Sequence, residues 1–180
     1  GLLGRNGAGK STVLNMIARR IEKTSGVITL DGVDLHKTPR AMHQVYLSST
    51  ENWFPKEYKF KDLLSIYKKT YPEFDSEFAE DLIKVFGVNV KERFSKASTG
   101  YQSIMKIILA LCNPSEYIFM DEPVLGLDAN HRHIFNKKLL EAYARNPRTF
   151  VIATHLIEEV ASILEKVIVI KDGVVTEEVM

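Results

Sequence analysis

Apolar positions along the chain change their period several times, and each change marks an element. Val13, Leu14, Ile17 and Ile21 recur at helical spacing behind a glycine-rich start, which predicts an amphipathic helix. Gly26 to Leu35 reads as two short strands about the Asp31-Gly32 turn, a strong local hairpin signal. Val45-Tyr46-Leu47 is a further strand and leads into Ser48 to Pro55, where Trp53 and Phe54 either face a protein partner or close the core. From Phe60 to Phe94 the texture becomes helical: Leu63, Leu64, Ile66 and Tyr67 form one stripe, and Phe78, Leu82, Ile83 and Phe86 another. Asp75 or Ser76 caps the second of these helices and Gly87 ends it. Ile104, Ile108 and Leu111 share a face of the next helix, which Asn113-Pro114 stops.

Tyr117-Ile118-Phe119-Met120 is a short continuous apolar run ending in Asp121-Glu122-Pro123, the pattern of a buried parallel strand that delivers two carboxylates at its C-terminal end. Ile134 to Tyr143 is helical, Thr149 to Thr154 is a strand with His155 at its tip, and Leu156 to Lys166 predicts another helix. Val167 to Ile170, Asp172-Gly173 and Val174-Val175 make a closing hairpin. Strands alternating with helices give an α/β fold with a mostly parallel sheet, and ligands bind such sheets at the C-terminal ends of the strands.

Composition narrows the function classes. The 180 residues are 45% hydrophobic and 26% charged, enough apolar material for a sizeable core. Lys plus Arg total 24 against 23 Asp plus Glu, so no global basic field argues for nucleic acid. The single cysteine, Cys112, follows the apolar run Ile107 to Leu111 and reads as a buried thiol. No apolar run approaches the length of a membrane span, so any link to a membrane runs through another protein. His36, His43, His131 and His133 lack metal-ligand spacing and read as solvated.

Candidate chemistry begins at Gly4-Arg5-Asn6-Gly7-Ala8-Gly9-Lys10-Ser11-Thr12, which fits G-x-x-x-x-G-K-[ST] at every fixed position. Glycines let backbone N–H groups curl around an anion, and the following helix points its positive end at the same place. Asn6, Gly7, Ala8, Gly9, Lys10, Ser11 and Thr12 are therefore expected to hold a nucleotide triphosphate, with Lys10 on the phosphates and Ser11 on Mg²⁺. Only Gly1, Leu2 and Leu3 precede the loop, so the strand that should feed it is expected to be cut short, with N-terminal strands missing. Asp121 is suited to hold the metal, and Glu122, one residue on and pointing the other way, to orient an attacking water. His155, at a neighbouring strand tip, is placed to contact the γ-phosphate.

Taken in order, these residues resemble the ATP-binding subunits of ABC transporters. Gly4 to Thr12 looks like Walker A, Tyr117 to Asp121 like Walker B, Glu122 like the catalytic carboxylate, Leu125 to Asp128 like the D-loop, and Thr154-His155 like the switch histidine. The resemblance implies a P-loop NTPase with a RecA-like, mostly parallel sheet core and an inserted helical subdomain. It divides a single ATPase domain, 1–180, into core 1–47, Q-loop and helical subdomain 48–100, and core 101–180. It also implies ATP and Mg²⁺ as ligands, a homodimer or heterodimer of ATPase subunits, a separate transmembrane permease, and a place on the cytoplasmic face of the membrane, with no nucleic acid expected.

Two departures stand out. The signature motif, usually LSGGQ, is here Ala97-Ser98-Thr99-Gly100-Tyr101, so Ser98, Thr99, Gly100 and Tyr101 are the candidates for touching ATP across a dimer interface. The Q-loop has no glutamine: spacing from Pro55 selects Ser49, while metal chemistry prefers Glu51. Similar substitutions occur in stand-alone bacterial subunits that look like exporters of peptides or hydrophobic compounds. The alternatives are a soluble ABC ATPase acting on ribosome or DNA, and a regulatory module that closes on ATP but hydrolyses it weakly.

Overall fold

Eight strands and six helices, numbered in chain order, are seen in a computed structural model that describes residues 1–179, with side chains through Thr176. The chain forms two compact units. The first contains Gly1–Ser49, Ser115–Glu122 and the chain from Arg148 onward; the second contains Thr50–Pro114 and Pro123–Pro147. Of the four places where the chain passes between them, three lie at a proline: Pro114, Pro123 and Pro147.

In the first unit β1 (Leu2–Leu3), β4 (Val45–Ser48), β5 (Tyr117–Asp121), β6 (Thr149–Thr154), β7 (Val167–Lys171) and β8 (Val174–Val179) form one sheet in the order β4-β5-β6-β1-β7-β8. All neighbours are parallel except β8, which returns antiparallel beside β7. The apolar runs therefore become the parallel core that their continuity predicts. Short β1 lies between β6 and β7, with Leu2 opposite Ala153 on one side and Ile168 on the other. A separate hairpin pairs β2 (Thr29–Leu30) with β3 (Val33–Asp34). Its turn and the β7-β8 turn share one solution: Asp31 and Gly32 at φ 49° and 79°, Asp172 and Gly173 at 50° and 79°. Two successive positive φ values match the twist of the strands they join, which is why Asp-Gly stands at both.

Helix α1 (Lys10–Ile17) buries Leu14 against Leu2, Leu47, Ala153 and Ile170, with Val13 and Ile17 partly covered. Ile21 does not join that stripe; the helix stops at Ala18, Arg19 turns to φ 55°, and Ile21 is 43% exposed. Helix α2 (Pro39–His43) is a single short turn before β4. The helix expected over 156–166 is instead two 3₁₀ turns, Ile157–Glu159 and Ala161–Ile163. Val160 between them sits at φ −129°, outside the helical region, which breaks the run.

The second unit is helical: α3 (Phe60–Thr70), α4 (Ser76–Val85), α5 (Thr99–Leu111) and α6 (Ala129–Arg145), with a 3₁₀ turn at Phe94–Lys96. Of the two cap candidates Asp75 is used, its carboxylate accepting the Phe78 N–H at 2.9 Å, and Gly87 at φ 65° ends the turn after α4. The core is Phe60, Leu63, Phe78, Leu82, Phe94, Met105, Ile108 and Phe135, all buried, and Cys112 is buried with them. Trp53 and Phe54 differ in burial. Phe54 packs edge-on to Phe94, ring centroids 4.9 Å apart, while Trp53 is 67% exposed. This unit reaches beyond 48–100, taking in 101–114 and 123–147, because α5 packs against α3, α4 and α6.

Candidate functional site

Strand order brings the chemistry of the first unit to one edge. The loop after β1, the carboxylates at the end of β5 and the histidine after β6 all lie at the C-terminal ends of neighbouring parallel strands, with Asp121 opposite Ala153 and Leu3 opposite Thr154. Gly7 (φ 83°) and Gly9 (φ 107°) bend the loop through backbone that side chains disfavour, and a Cβ on Gly7 would meet no described atom within 4 Å. Gly4 serves packing instead: its Cβ would stand 2.5 Å from the Ile170 carbonyl oxygen. The Gly173 N–H donates to Ala8 O (2.9 Å), tying the loop to the β7-β8 turn. Gly9 opens α1 without a side-chain cap, so the first-turn N–H groups remain for an anion, and Ser11 and Thr12 are exposed beside them.

Lys10 is only 6% exposed, and its Nζ donates to the carbonyls of Gly4 (2.7 Å) and Arg5 (3.3 Å) while lying 3.7 Å from Glu122 Oε1. A buried ammonium needs such partners. Asp121, the last residue of β5, is 5% exposed. Glu122 then leaves the strand at φ 49°, its N–H donating to Ala153 O (2.8 Å). This left-handed kink, rather than strand alternation alone, sets where the Glu122 side chain starts. Glu122 Oε1 accepts from the His155 N–H (3.1 Å) and from His155 Nδ1–H (2.8 Å); Oε2 accepts from Thr154 Oγ1 (2.8 Å). Since a carboxylate can only accept, Nδ1 carries the imidazole proton, and Nε2 is the ring's remaining polar position.

Lys10, Glu122 and His155 are thus brought together. Sequence reasoning left Thr154 without a role of its own, since its partner lies 32 positions away. It also passed over Arg20, whose guanidinium donates to Ser49 Oγ (2.7 Å) and Leu47 O (2.9 Å). Ser49 is buried in this unit, at the end of β4. Glu51, the other candidate at that position, belongs to the helical unit, exposed, with its backbone oxygen and that of Thr50 accepting from Lys106 Nζ at 3.0 and 2.8 Å. His36, expected to be solvated, donates from Nε2 to Met16 O at 2.7 Å.

The helical unit holds the remaining candidates. Ser98 caps α5, accepting the Tyr101 N–H at 3.3 Å. The Tyr101 hydroxyl accepts the Asn89 N–H, so the residue standing where glutamine is usual braces the loop after α4. Thr99 is exposed, and Gly100 lies against Gly126 so closely that a Cβ on Gly100 would stand 2.3 Å from the Gly126 carbonyl oxygen. Ser103 Oγ donates to Leu125 O at 2.9 Å, a second tie between the same segments. Asp128 caps α6, accepting from the His131 N–H (2.8 Å) and His131 Nδ1–H (2.9 Å). His131, whose ring stacks on Phe86, is therefore held rather than solvated.

The His131 backbone N–H, then its ring, hold the Asp128 carboxyl below the usual carboxylate range. A depressed folded-state pKa contributes stability that is complete above the unfolded value and lost as pH falls through the folded one. The urea midpoint of the wild type should therefore drop more steeply below about pH 4 than that of Asp128→Asn, which keeps a cap but does not titrate. Parallel slopes in the two proteins would remove this role.

No helix among the described residues is long and apolar enough to cross a membrane, and no three His, Cys, Asp or Glu side chains among them form a metal cluster. A family model described as ABC transporter matches residues 1–125. The ABC transporter ATP-binding protein YtrB of Bacillus subtilis (strain 168) is 30% identical over 176 residues, covering 98% of this chain and 60% of YtrB. The ABC transporter ATP-binding protein NatA of the same organism is 34% identical over 180 residues, covering 96% of this chain and 73% of NatA. The chain thus spans less than two thirds of YtrB. Among solved structures, an ATP-binding subunit of an ABC transporter superposes with TM-score 0.85 at 22% identity, covering 98% of this chain and 76% of that one. The ATP-binding cassette MJ0796, a dimer in a post-hydrolysis state bound to ADP and Pi, gives TM-score 0.80 at 22% identity, covering 98% and 82%. At these identities the likeness concerns the fold, a mixed α/β P-loop architecture.

Proposed function

The chain belongs to the ABC transporter family of ATP-binding proteins, and from that premise we propose that it binds and hydrolyses ATP to power a membrane transporter. The observation that carries this reading is the convergence of Lys10, Glu122 and His155 at the mouth of a glycine loop that opens a helix. A phosphate cradle, a cation and a carboxylate poised for water are what phosphoryl transfer to water requires.

On this reading Asn6 to Thr12 receive the ATP phosphates through backbone N–H groups, and Lys10 exchanges the Gly4 and Arg5 carbonyls for phosphate oxygens. Release of Lys10 also removes a cation 3.7 Å from Glu122, whose carboxylate then aligns the attacking water. His155 swings its ring N–H from Glu122 to the γ-phosphate, since only a donor can meet a phosphate oxygen. The exposed Ser11 hydroxyl and the buried Asp121 carboxylate are hard oxygen donors, too few to hold Mg²⁺ alone but suited to share it with a nucleotide. That ion, when bound, offsets charge on the phosphates.

The dimer seen for MJ0796 supports a pair of ATPase subunits here, homomeric or heteromeric, in which Ser98, Thr99 and Gly100 offer the α5 N-terminus to the ATP of the other subunit. Tyr101 contributes through its backbone and ring, its hydroxyl being engaged, and Asp128 stands in the D-loop. Ser49 takes the Q-loop position by spacing and Glu51 by chemistry. Attachment to a separate permease then places the protein at the cytoplasmic face of the membrane. Export of peptides or hydrophobic compounds is the narrower proposal, resting on the altered signature and Q-loop.

Phosphate release from Mg-ATP, followed with size-exclusion chromatography, tests the reading. Turnover that EDTA abolishes and a dimer that forms only with ATP are expected. ATP binding without turnover, even with a permease present, would instead favour the regulatory module.

A further inference from the structure

We propose that Thr154 is a positioning residue for Glu122, fixing the carboxylate that orients the attacking water; the inference rests on the ATPase reading above. Thr154 ends β6 and is 0% exposed. Its hydroxyl accepts the Leu156 N–H at 3.0 Å, which directs its one proton toward Glu122 Oε2, 2.8 Å away. A hydroxyl has a single donor, so this pairing sets its orientation.

Glu122 needs such support. Its backbone is in the left-handed region, φ 49°, held there by its own N–H on Ala153 O. A side chain starting from that kink is directed by whatever its carboxylate reaches. Oε1 meets the His155 N–H, His155 Nδ1–H and, at 3.7 Å, Lys10 Nζ. Lys10 and the His155 ring both have work to do on phosphate. When they turn to it, the donors that stay with the carboxylate are the backbone N–H of His155 on Oε1 and the hydroxyl of Thr154 on Oε2. These two come from consecutive residues of one strand tip, so together they fix the carboxylate plane as well as its position. Thr154 donates its hydroxyl proton to Oε2, and none of the chemistry above asks it to touch nucleotide.

Thr154→Val keeps the β-branched shape and removes the hydroxyl. Displacement of a reacting group by a fraction of an ångström is expected to lower kcat about 10- to 100-fold. KM for ATP should stay at the wild-type value, since the phosphate loop is untouched, and Thr154→Ser should restore most of kcat. On a Glu122→Gln background, Thr154→Val should leave the residual rate unchanged, because the two side chains act as one unit. Thermal melts of each variant separate loss of turnover from loss of folding. Wild-type kcat in Thr154→Val, a failure of serine to restore turnover in a folded protein, or a proportionate rise in KM would each overturn the inference. The two readings fail differently. Absence of turnover in the wild type, even with a permease present, removes the ATPase reading and this inference with it, whereas an inactive Glu122→Gln beside a fully active Thr154→Val removes this inference alone.

Discussion

Glu122→Gln should lower steady-state ATP turnover by at least about 100-fold while ATP binding persists, the range expected when a general base is lost. The amide matches the carboxylate in shape. Its oxygen can still accept from the His155 N–H, so the kink after β5 keeps one anchor. What disappears is the charge that aligns and deprotonates water, together with the second acceptor, because an amide nitrogen cannot take the proton of the Thr154 hydroxyl. Chemistry slows more than binding, so the ATP-bound dimer should accumulate. Single-turnover phosphate release beside size-exclusion chromatography measures both. A variant that turns over within a few-fold of wild type would remove Glu122 from the water-orienting role.

Gly100→Ala should be the most disruptive one-carbon change in the helical unit. The added Cβ would lie 2.3 Å from the carbonyl oxygen of Gly126 and 3.1 Å from its carbonyl carbon. Both are backbone atoms, so no rotamer change relieves the clash. Gly126 is itself at φ 78°, with its own missing Cβ facing Gly100 N at 3.1 Å, and the Ser103 to Leu125 hydrogen bond restricts sliding. Overpacking of this kind costs about 1–3 kcal/mol. Urea unfolding should show that loss, and hydrogen exchange should quicken at 98–103 and 124–128. Gly7→Ala is the control, since a Cβ there meets no described atom and only the positive φ opposes it. An unchanged urea midpoint in Gly100→Ala would mean that the two segments separate at no cost.

Local signals made much of this legible. The apolar run before Asp121, the two Asp-Gly turns, the Asp75 cap and the glycine loop each have their cause within a few residues, and each forms as its chemistry requires. Features whose cause is distant were hidden. Thr154 finds Glu122 across 32 positions and Arg20 finds Ser49 across 29, pairings that follow from strand order rather than from spacing. His131 looked solvated because neither the cap at Asp128 nor the ring of Phe86 is visible in a histidine count. The helix expected over 156–166 failed for a different reason: its apolar spacing is helical, but the break at Val160 leaves only two short turns.

The placement of β1 has a consequence for how the protein is made. Its partners in the sheet are β6 and β7, so Leu2 waits for Ala153 and Ile168, and all three proline crossings, Pro114, Pro123 and Pro147, come before either is synthesised. The helical unit, whose last segment ends at Pro147, can emerge from the ribosome before the strands that secure β1 exist. Such distant pairings pay loop-closure entropy early and are rewarded late, which slows folding. The glycine loop that follows β1 is translated well before the strands that hold it in place.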